Sequence, residues 1–370
     1  MKKPKLLITT DSFLPRIDGI ARFLMEVVPF LSKQFTITIL APDFPGEKVN
    51  MTGVTIHYIP LSALTLGDYQ FATYCPSLIK KYIQQNDLIF NQSLGTIGIA
   101  AIRAGAKAKK PVISFIHSID WELASQSLGG NRVVRWLAKV IARKIYAKCT
   151  KLLFPSQQAE LRYQEQRIIK PSRIIPLGVD THRFIPSHSK AVAKKKIGID
   201  PNKLVIGFCG RIGREKDLGT LLQAFQEIKN MFPVILLIVG SGLTEEVQDE
   251  DIILAGRQQN VVPYLQAMDI YVLPSLTETT SLSTLEAMSC GLPVICTPVG
   301  AIREYIKHKE NGYLFPRKNV SQLVKYLQIL LRNPKRREEL GSAARKTVHD
   351  RFQWPKTMRQ LEKTLSREIK

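Results

Sequence analysis

Cysteine is scarce: five residues, at 75, 149, 209, 290 and 296, in a chain of 370. The count is odd and no Cys-x2-Cys pair occurs, which argues against a disulfide framework and against a zinc site. The thiols are expected to be reduced and mostly buried. Long apolar runs are missing too, and none approaches the roughly 20 residues of a membrane-spanning helix. The opening Met1-Lys-Lys-Pro-Lys-Leu-Leu-Ile-Thr-Thr-Asp11 has a basic head, but its apolar segment is too short for a signal peptide. A first strand and a cytoplasmic protein are the expectation. The three-glycine dinucleotide fingerprint is absent, which counts against an NAD enzyme. Acidic residues are outnumbered: 31 Asp and Glu stand against 53 Lys and Arg, a formal charge of +22. That excess implies attraction to a polyanion, whether an anionic membrane surface, nucleic acid or phosphorylated substrates.

What is present is an alternation of apolar runs and amphipathic segments, with 45% hydrophobic and 23% charged residues, as in a soluble globular protein. The length allows two domains, each with its own core. In the first half strands are expected at 6–10, 36–41, 54–59, 88–91, 112–116 and 152–155, with helices at 19–33, 76–84 and from 95. Near residues 186–196 the pattern lapses into Ser-His-Ser-Lys-Ala-Val-Ala-Lys-Lys-Lys, which reads as a linker. Strands resume at 204–209, 234–239, 252–254, 270–273 and 294–296, with a helix at 218–229. This α/β alternation predicts parallel sheets with helices on both faces and ligands at the strand C-terminal ends. Two Rossmann-like domains in series, 1–185 and 186–354, are expected to face one another across a cleft.

The most informative stretch runs from Ile270 to Thr297. An apolar strand breaks at Pro274-Ser275 into a polar loop, and a helix begins at Leu282 and stops at Gly291-Leu-Pro293. Thr279, Thr280 and Ser281 stand at the helix start, where backbone N–H groups and the positive helix end suit a phosphate. Glu278 and Glu286 bracket the turn with seven residues between them. Each has two readings. Either they accept hydrogen bonds from sugar hydroxyls, or Glu278 favours the helix end electrostatically and Glu286 is a solvated helix residue.

Other loops also follow strands. In Thr10-Asp-Ser-Phe-Leu-Pro-Arg-Ile-Asp-Gly-Ile-Ala-Arg22, Gly19 opens a helix and either lets a backbone amide approach an anion or is an ordinary helix-start glycine. In Cys209-Gly-Arg-Ile-Gly-Arg-Glu-Lys216, Arg211 and Lys216 lie five apart across a tight loop and can converge on one diphosphate, the first as a planar fork and the second as a point charge. The alternative is a solvated basic loop. A strand ends at His117 in Ser114-Phe-Ile-His-Ser-Ile-Asp-Trp-Glu122, where a structural role is the competing reading.

Glu278-x7-Glu286 followed by Ala-Met-Ser-Cys-Gly-Leu-Pro-Val resembles the signature of the family-4 retaining glycosyltransferases of the GT-B fold, which use nucleotide-sugar donors. Val239-Gly-Ser-Gly242 and Ala255-Gly-Arg257 resemble further turns of that family. The resemblance implies that the cleft is the active site and that Arg211 and Lys216 hold the donor diphosphate. Glu286 then holds the ribose and Glu278 the sugar, while Gly19, Ser281 and Leu282 supply backbone donors. It places Arg257 in the segment that reads the base, and His117 over the transferred sugar. Asp120 and Glu122 become candidate acceptor contacts. The last helix, about 355–370, is implied to cross back onto the first domain. Retention in this family is commonly described as front-face attack assisted by the leaving phosphate, so no protein base, metal or cofactor is expected. Asp217, Thr280 and Ser281 depart from the family pattern, which commonly has glycine, an aromatic and a small Gly or Pro there. The first departure implies a changed helix cap and the others a changed sugar pocket.

Residues 131–151 hold seven Lys or Arg and no acid. Arg132, Arg135, Lys139 and Arg143 line one helical face, Val133, Leu137, Val140 and Ile141 lie on the other side, and Trp136 sits at the margin. This fits a membrane-surface anchor; equally, it fits a basic solvent face over a buried apolar one. The expected activity is transfer of a hexose from a UDP-glucose or GDP-mannose type donor to a lipid or lipid-linked acceptor, by a cytoplasmic protein peripheral to the membrane. A soluble sugar or sugar-phosphate acceptor is the alternative. Epimerases and phosphorylases share the architecture but fit the Glu278 to Pro293 block less well. A basic nucleic-acid-binding protein would interleave aromatics with its cations or carry a recognised module; neither is found.

Overall fold

A computed structural model of the protein describes residues 3–16, 18–66, 69–242 and 249–369. Two units divide the chain: Met1–Leu177 with Pro355–Lys370, and Gly178–Trp354.

The first unit begins with β1 (Lys5–Thr9), α1 (Gly19–Leu31), β2 (Thr36–Pro42) and β3 (Val54–Ile59). A two-stranded antiparallel hairpin follows, β4 (Leu61–Leu66) with β5 (Tyr69–Ala72). Next come α2 (Pro76–Gln85), β6 (Leu88–Asn91), α3 (Thr96–Lys107) and β7 (Val112–Phe115). The run to the boundary is α4 (Asp120–Ser127), α5 (Arg132–Tyr146), β8 (Lys151–Phe154), α6 (Gln157–Gln164) and β9 (Ser172–Ile174).

The second unit opens with α7 (Lys190–Lys196), β10 (Leu204–Cys209), α8 (Leu218–Lys229), β11 (Val234–Val239) and β12 (Ile252–Gly256). It continues through α9 (Val262–Ala267), β13 (Ile270–Leu273), α10 (Leu282–Ser289), β14 (Val294–Cys296), α11 (Ile302–Tyr305) and β15 (Tyr313–Leu314). Helices α12 (Val320–Arg332) and α13 (Pro334–Arg351) close it, and α14 (Trp354–Ser366) follows.

Strand order is β3-β2-β1-β6-β7-β8-β9 in the first unit and β12-β11-β10-β13-β14-β15 in the second. Neighbours in both sheets pair parallel. Strands covered by helices on both faces are mostly apolar; β6, β7, β11 and β13 are accordingly buried along their whole length, with Asn91 and Ser114 the polar residues of β6 and β7. Each fully buried Leu, Ile, Val or Phe contributes about 1.5–3 kcal/mol. In each sheet the order reverses beside the first strand, at β1/β6 and at β10/β13. Parallel sheets open a crevice at such a reversal, beyond the strand C-termini.

The chain crosses between units at Leu177/Gly178, before the expected 185/186. Val179 N–H donates to Phe352 O at 2.7 Å, and a Cβ on Gly178 would stand 2.5 Å from Trp354 N, so the outgoing and returning strands of chain lie side by side. The expected linker is in fact helix α7, capped by Ser189 and folded into the second unit. Its Lys194 is buried and pairs with Asp269 Oδ2 at 2.8 Å while donating to Lys203 O. A lysine-rich run reads as solvated until a buried carboxylate is found for it.

Asp11, just past β1, is buried and ties that loop to the start of α3. Its carboxylate accepts from Ser93 Oγ at 2.7 Å and from the N–H groups of Gly95, Ile97 and Gly98 at 2.9, 2.8 and 3.1 Å. Burial pushes its pKa up, while these donors oppose the shift. Asp11→Ala is expected to cost about 3 kcal/mol or more, because it orphans buried donors. Denaturant unfolding checks this; a loss below about 1 kcal/mol would show that the α3 N-terminus does not depend on it.

Candidate active site

In the second unit three loops meet at the β10/β13 reversal. The turn after β11 lies directly on the turn after β10: Ile212 N–H donates to Ser241 O at 2.9 Å, and Gly210 N–H to Val239 O at 2.9 Å. Gly240 and Gly242 have φ of +148° and +146°, and a Cβ on them would stand 1.8 and 1.9 Å from Gly210 O and Ile212 O. Only glycine permits both the angle and the approach. That contact fixes the backbone from which Arg211 projects.

The chain then forms a 3-10 turn over Arg214–Lys216 and passes through Asp217 in the left-handed conformation, φ 50°. Aspartate tolerates that region; its carboxylate accepts from Thr220 Oγ1 at 2.7 Å and makes no capping bond to a backbone N–H of α8. Lys216 Nζ reaches Glu278 Oε1 at 2.5 Å, and Ser275 Oγ donates to the same oxygen at 2.8 Å. Arg211 pairs with Glu215 at 2.6 Å, and Glu215 O accepts from Leu276 N–H at 2.8 Å. Arg211 and Lys216 therefore each carry a carboxylate in this structure.

Ser281 caps α10, its Oγ accepting from Thr284 N–H, and Leu282 is the first helical residue. Tyr271, buried on β13, places its hydroxyl between Cys209 O and Ser283 Oγ, at 3.3 and 2.9 Å. This joins the β10 loop to the α10 N-terminus. Glu286 is 3% exposed, so the solvated-helix reading fails. Arg257 follows β12 with an exposed side chain, just after Gly256, whose carbonyl accepts from Gly240 N–H at 2.9 Å. Thus Arg211, Lys216, Glu278, Ser281 and Leu282 lie on mutually bonded loops, and Arg257 lies on a strand end tied to the same turns.

In the first unit the β1/β6 reversal holds His117. Its ring stacks on Phe115 at 4.6 Å and meets the edge of Phe23 from α1 at 4.9 Å. Its Nε2 lies 3.0 Å from Gln92 Oε1, and Gln92 Nε2 donates to Phe90 O at 3.2 Å. The Gln92 amide is thereby oriented with its oxygen toward the ring, so Nε2 carries the proton and Nδ1 is left as an acceptor. Burial lowers the His117 pKa to about 3. Gly19 opens α1 behind Asp18, whose carboxylate accepts from Ile20 and Ala21 N–H at 2.9 and 3.0 Å. Gly19 is exposed, and a Cβ there would meet nothing within 4 Å, so its neighbours do not require glycine.

Two expectations are corrected. Asp120 does not face an acceptor: its carboxylate takes the Tyr146 and Tyr163 hydroxyls at 2.7 and 2.6 Å, with burial raising its pKa to about 6. Glu122 likewise bonds Arg162 and Arg135. Among the described residues no group of His, Cys, Asp and Glu is arranged to hold a metal ion. Glu215, Ser275, Tyr271 and Gln92 were not singled out from sequence. Only Glu215 had a local signal, four residues from Arg211.

Helix α5 buries only Ala142, Ile145 and Tyr146 near its end. Val133 and Trp136 are 65% and 61% exposed, and Leu137 and Ile141 are exposed with them. The reading of a buried apolar face therefore fails over the first turns. Arg132, Arg135 and Arg143 are exposed around this stripe and Lys139 is half-buried, its Nζ 6.0 Å from the Trp121 ring. Exposed Leu123 and Leu128 of the neighbouring α4 segment add to the apolar surface. No helix among the described residues is long and apolar enough to cross a membrane.

Two parallel-sheet units with a loop cluster at the β10/β13 reversal define a GT-B glycosyltransferase. Residues 17–183 match the Glycosyltransferase Family 4 domain and residues 189–347 the domain of Glycosyl transferases group 1; the chain belongs to the glycosyltransferases built from this pair. It is 26% identical, over 95% of its length and 94% of the relative's, to a GDP-mannose-dependent monoacylated alpha-(1-6)-phosphatidylinositol monomannoside mannosyltransferase of Corynebacterium glutamicum. It is 25% identical, over 87% of each chain, to a UDP-Gal:alpha-D-GlcNAc-diphosphoundecaprenol alpha-1,3-galactosyltransferase of Escherichia coli. In fold it matches the sucrose-phosphate synthase of Thermosynechococcus elongatus with a TM-score of 0.78, at 17% identity over 99% of both chains.

The imidazole geometry is testable. His117 is expected to remain the neutral Nε2–H tautomer at pH 7 and to protonate only near pH about 3. Because its folded pKa lies below the ordinary 6.5, its contribution to stability is whole above pH 6.5 and is lost as pH falls from there through about 3. Ring 15N shifts report the tautomer. Gln92→Leu removes the acceptor and should populate the Nδ1–H form; an unchanged tautomer would show that Gln92 does not set it.

Proposed function

We propose that the chain is a retaining hexosyltransferase that takes a nucleotide diphosphate sugar, of the UDP-glucose or GDP-mannose type, and glycosylates a lipid or lipid-linked acceptor at an anionic membrane surface. In this reading the donor diphosphate displaces Glu215 and Glu278 from Arg211 and Lys216. The Arg fork and the Lys point charge then meet the charge that develops on the departing diphosphate. Released from Lys216, Glu278 accepts from sugar hydroxyls, and Glu286 accepts from the ribose. Backbone N–H groups at Gly19, Ser281 and Leu282 add donors at two helix starts, and the segment at Arg257 lies along the base. His117, neutral, offers Nδ1 as acceptor to a sugar hydroxyl. No side chain here is assigned as general base; the leaving phosphate takes the acceptor proton.

The observation that carries the lipid acceptor is the exposed apolar stripe of α5 flanked by cations. Burying such a stripe at a headgroup boundary while cations meet anionic lipid stabilises the bound state on both counts. The two relatives named above support it, since both are described as acting on lipid-linked acceptors. Their donors differ in base and sugar, so the diphosphate is the shared element on which the present assignment rests.

Gly19→Ala separates ligand from fold: it should leave stability unchanged or slightly raised, alanine being the better helix residue, while weakening donor binding about tenfold. Unchanged affinity, measured by calorimetry, would remove Gly19 from the site. Turnover across UDP- and GDP-sugars should fall about a hundredfold or more in Glu278→Ala. Product should require anionic vesicles, and Trp136→Ser with Leu137→Ser should abolish vesicle binding while sparing donor hydrolysis. Lipid-independent product would point to a soluble acceptor; no turnover of any nucleotide sugar by the native chain would overturn the donor assignment.

A further inference from the structure

The first turn of α10 holds a hydroxyl that the helix cap does not use. Ser281 is the cap, its Oγ accepting from Thr284 N–H at 3.3 Å and from Thr284 Oγ1 at 2.8 Å. Ser283 makes different contacts: its Oγ lies 2.9 Å from the Tyr271 hydroxyl and 3.3 Å from Ser281 Oγ. Tyr271, Ser281 and Thr284 are buried, whereas Ser283 is half-buried. It is the member of this group that reaches the surface. A Cβ on Gly210 would stand 3.9 Å from Ser283 Oγ, so the hydroxyl lies against the loop that carries Arg211.

The protons of these hydroxyls have two consistent arrangements. Tyr271 has one proton and two oxygens within reach, Cys209 O at 3.3 Å and Ser283 Oγ at 2.9 Å. Burial raises the phenol's pKa well above its ordinary 10, so near neutral pH that proton stays on the ring oxygen and can only turn. A carbonyl accepts and never donates, whereas a hydroxyl accepts and donates at once. With the Tyr271 proton turned to Cys209 O, Ser283 donates to the phenol oxygen and Ser281 to Ser283, and the Ser283 proton is consumed inside the protein. With it turned to Ser283 Oγ, the Ser283 proton is released outward. The second arrangement gives up only the longer contact, to Cys209 O. An anion outside favours it, because a hydrogen bond to a charged acceptor is about twice as strong as a neutral one and a hydroxyl that itself accepts is the stronger donor.

We propose that Ser283 Oγ is a side-chain hydrogen-bond donor to the nucleotide diphosphate and that Tyr271 is the positioning residue that turns its proton outward. The inference rests on the donor assignment made under the proposed function and adds to it a neutral donor at the start of α10, beside the loop of Arg211. Tyr271 acts through Ser283 and touches no ligand. The contact reads phosphate and is blind to the base.

The full chain would be titrated with UDP and with GDP by calorimetry, as the native sequence and as Ser283→Ala, Ser283→Thr, Tyr271→Phe and the double variant Tyr271→Phe with Ser283→Ala, each checked by denaturant unfolding. Ser283→Ala is expected to weaken binding about tenfold, by the same factor for every nucleotide the native chain binds. Ser283→Thr keeps the hydroxyl and should stay within about threefold of native, and Tyr271→Phe should lose about threefold. The double variant should bind no more weakly than Ser283→Ala alone, since Tyr271 then has no hydroxyl to act through. A purely structural tyrosine would weaken binding in both backgrounds, and that additive result would overturn its positioning role. Native affinity in Ser283→Ala, or the same loss in Ser283→Thr as in Ser283→Ala, would overturn the contact while leaving the donor assignment standing. Failure of the native chain to bind either nucleotide would overturn both.

Discussion

One ion pair, Lys216 to Glu278 at 2.5 Å, spans the order reversal of the second sheet and ties the loop after β10 to the loop after β13. The two residues come from loops after different strands, and Ser275 completes the acceptor side. Largely withdrawn from water, such a pair is not a strong source of net stability, but removing one partner leaves the other uncompensated at a cost of about 3–5 kcal/mol. The two loops are therefore held together across the reversal. Arg211 and Lys216 already hold the carboxylates of Glu215 and Glu278, so in the proposed reading a diphosphate replaces acceptors that are in place.

The same principle appears in the first unit with the sign reversed. Asp11 gathers four donors at the α3 N-terminus, and the loop after β1 is thereby placed beside the ends of β6 and β7. His117 and Gln92 stand on those ends. In both units a buried charge with its full set of partners converts a crevice dictated by sheet topology into a fixed arrangement of functional groups.

The formal charge of +22 is unevenly distributed. Where cations are buried they meet carboxylates or carbonyls, as Lys194 does with Asp269 and Lys203 O. On the exposed faces of α5 and α14 they are gathered with few acids among them. Exposed charges are screened beyond about 8–10 Å at physiological salt, so it is these local clusters, and not the net charge, that act on an anionic partner at contact.

By itself the sequence determined the strands and helices whose apolar periodicity is strong: 54–59, 88–91, 204–209, 234–239 and 270–273 stand where the pattern puts them. It also determined the motif spacing from Glu278 to Pro293, because helix start, cap and stop are local chemistry. Short elements such as β4, β5 and β9 were not legible, having too few residues to display a period. Tertiary structure alone decided the rest. Glu286 reads as a solvated helix residue until packing buries it; the run at 190–196 reads as a linker until Asp269 receives Lys194; the apolar side of α5 reads as core until no element covers it. Gln92, Ser275 and Tyr271 lack any local signal, since what each does is set by a partner from another strand or loop. A sequence specifies what a residue can bond with; only the fold specifies which partner arrives.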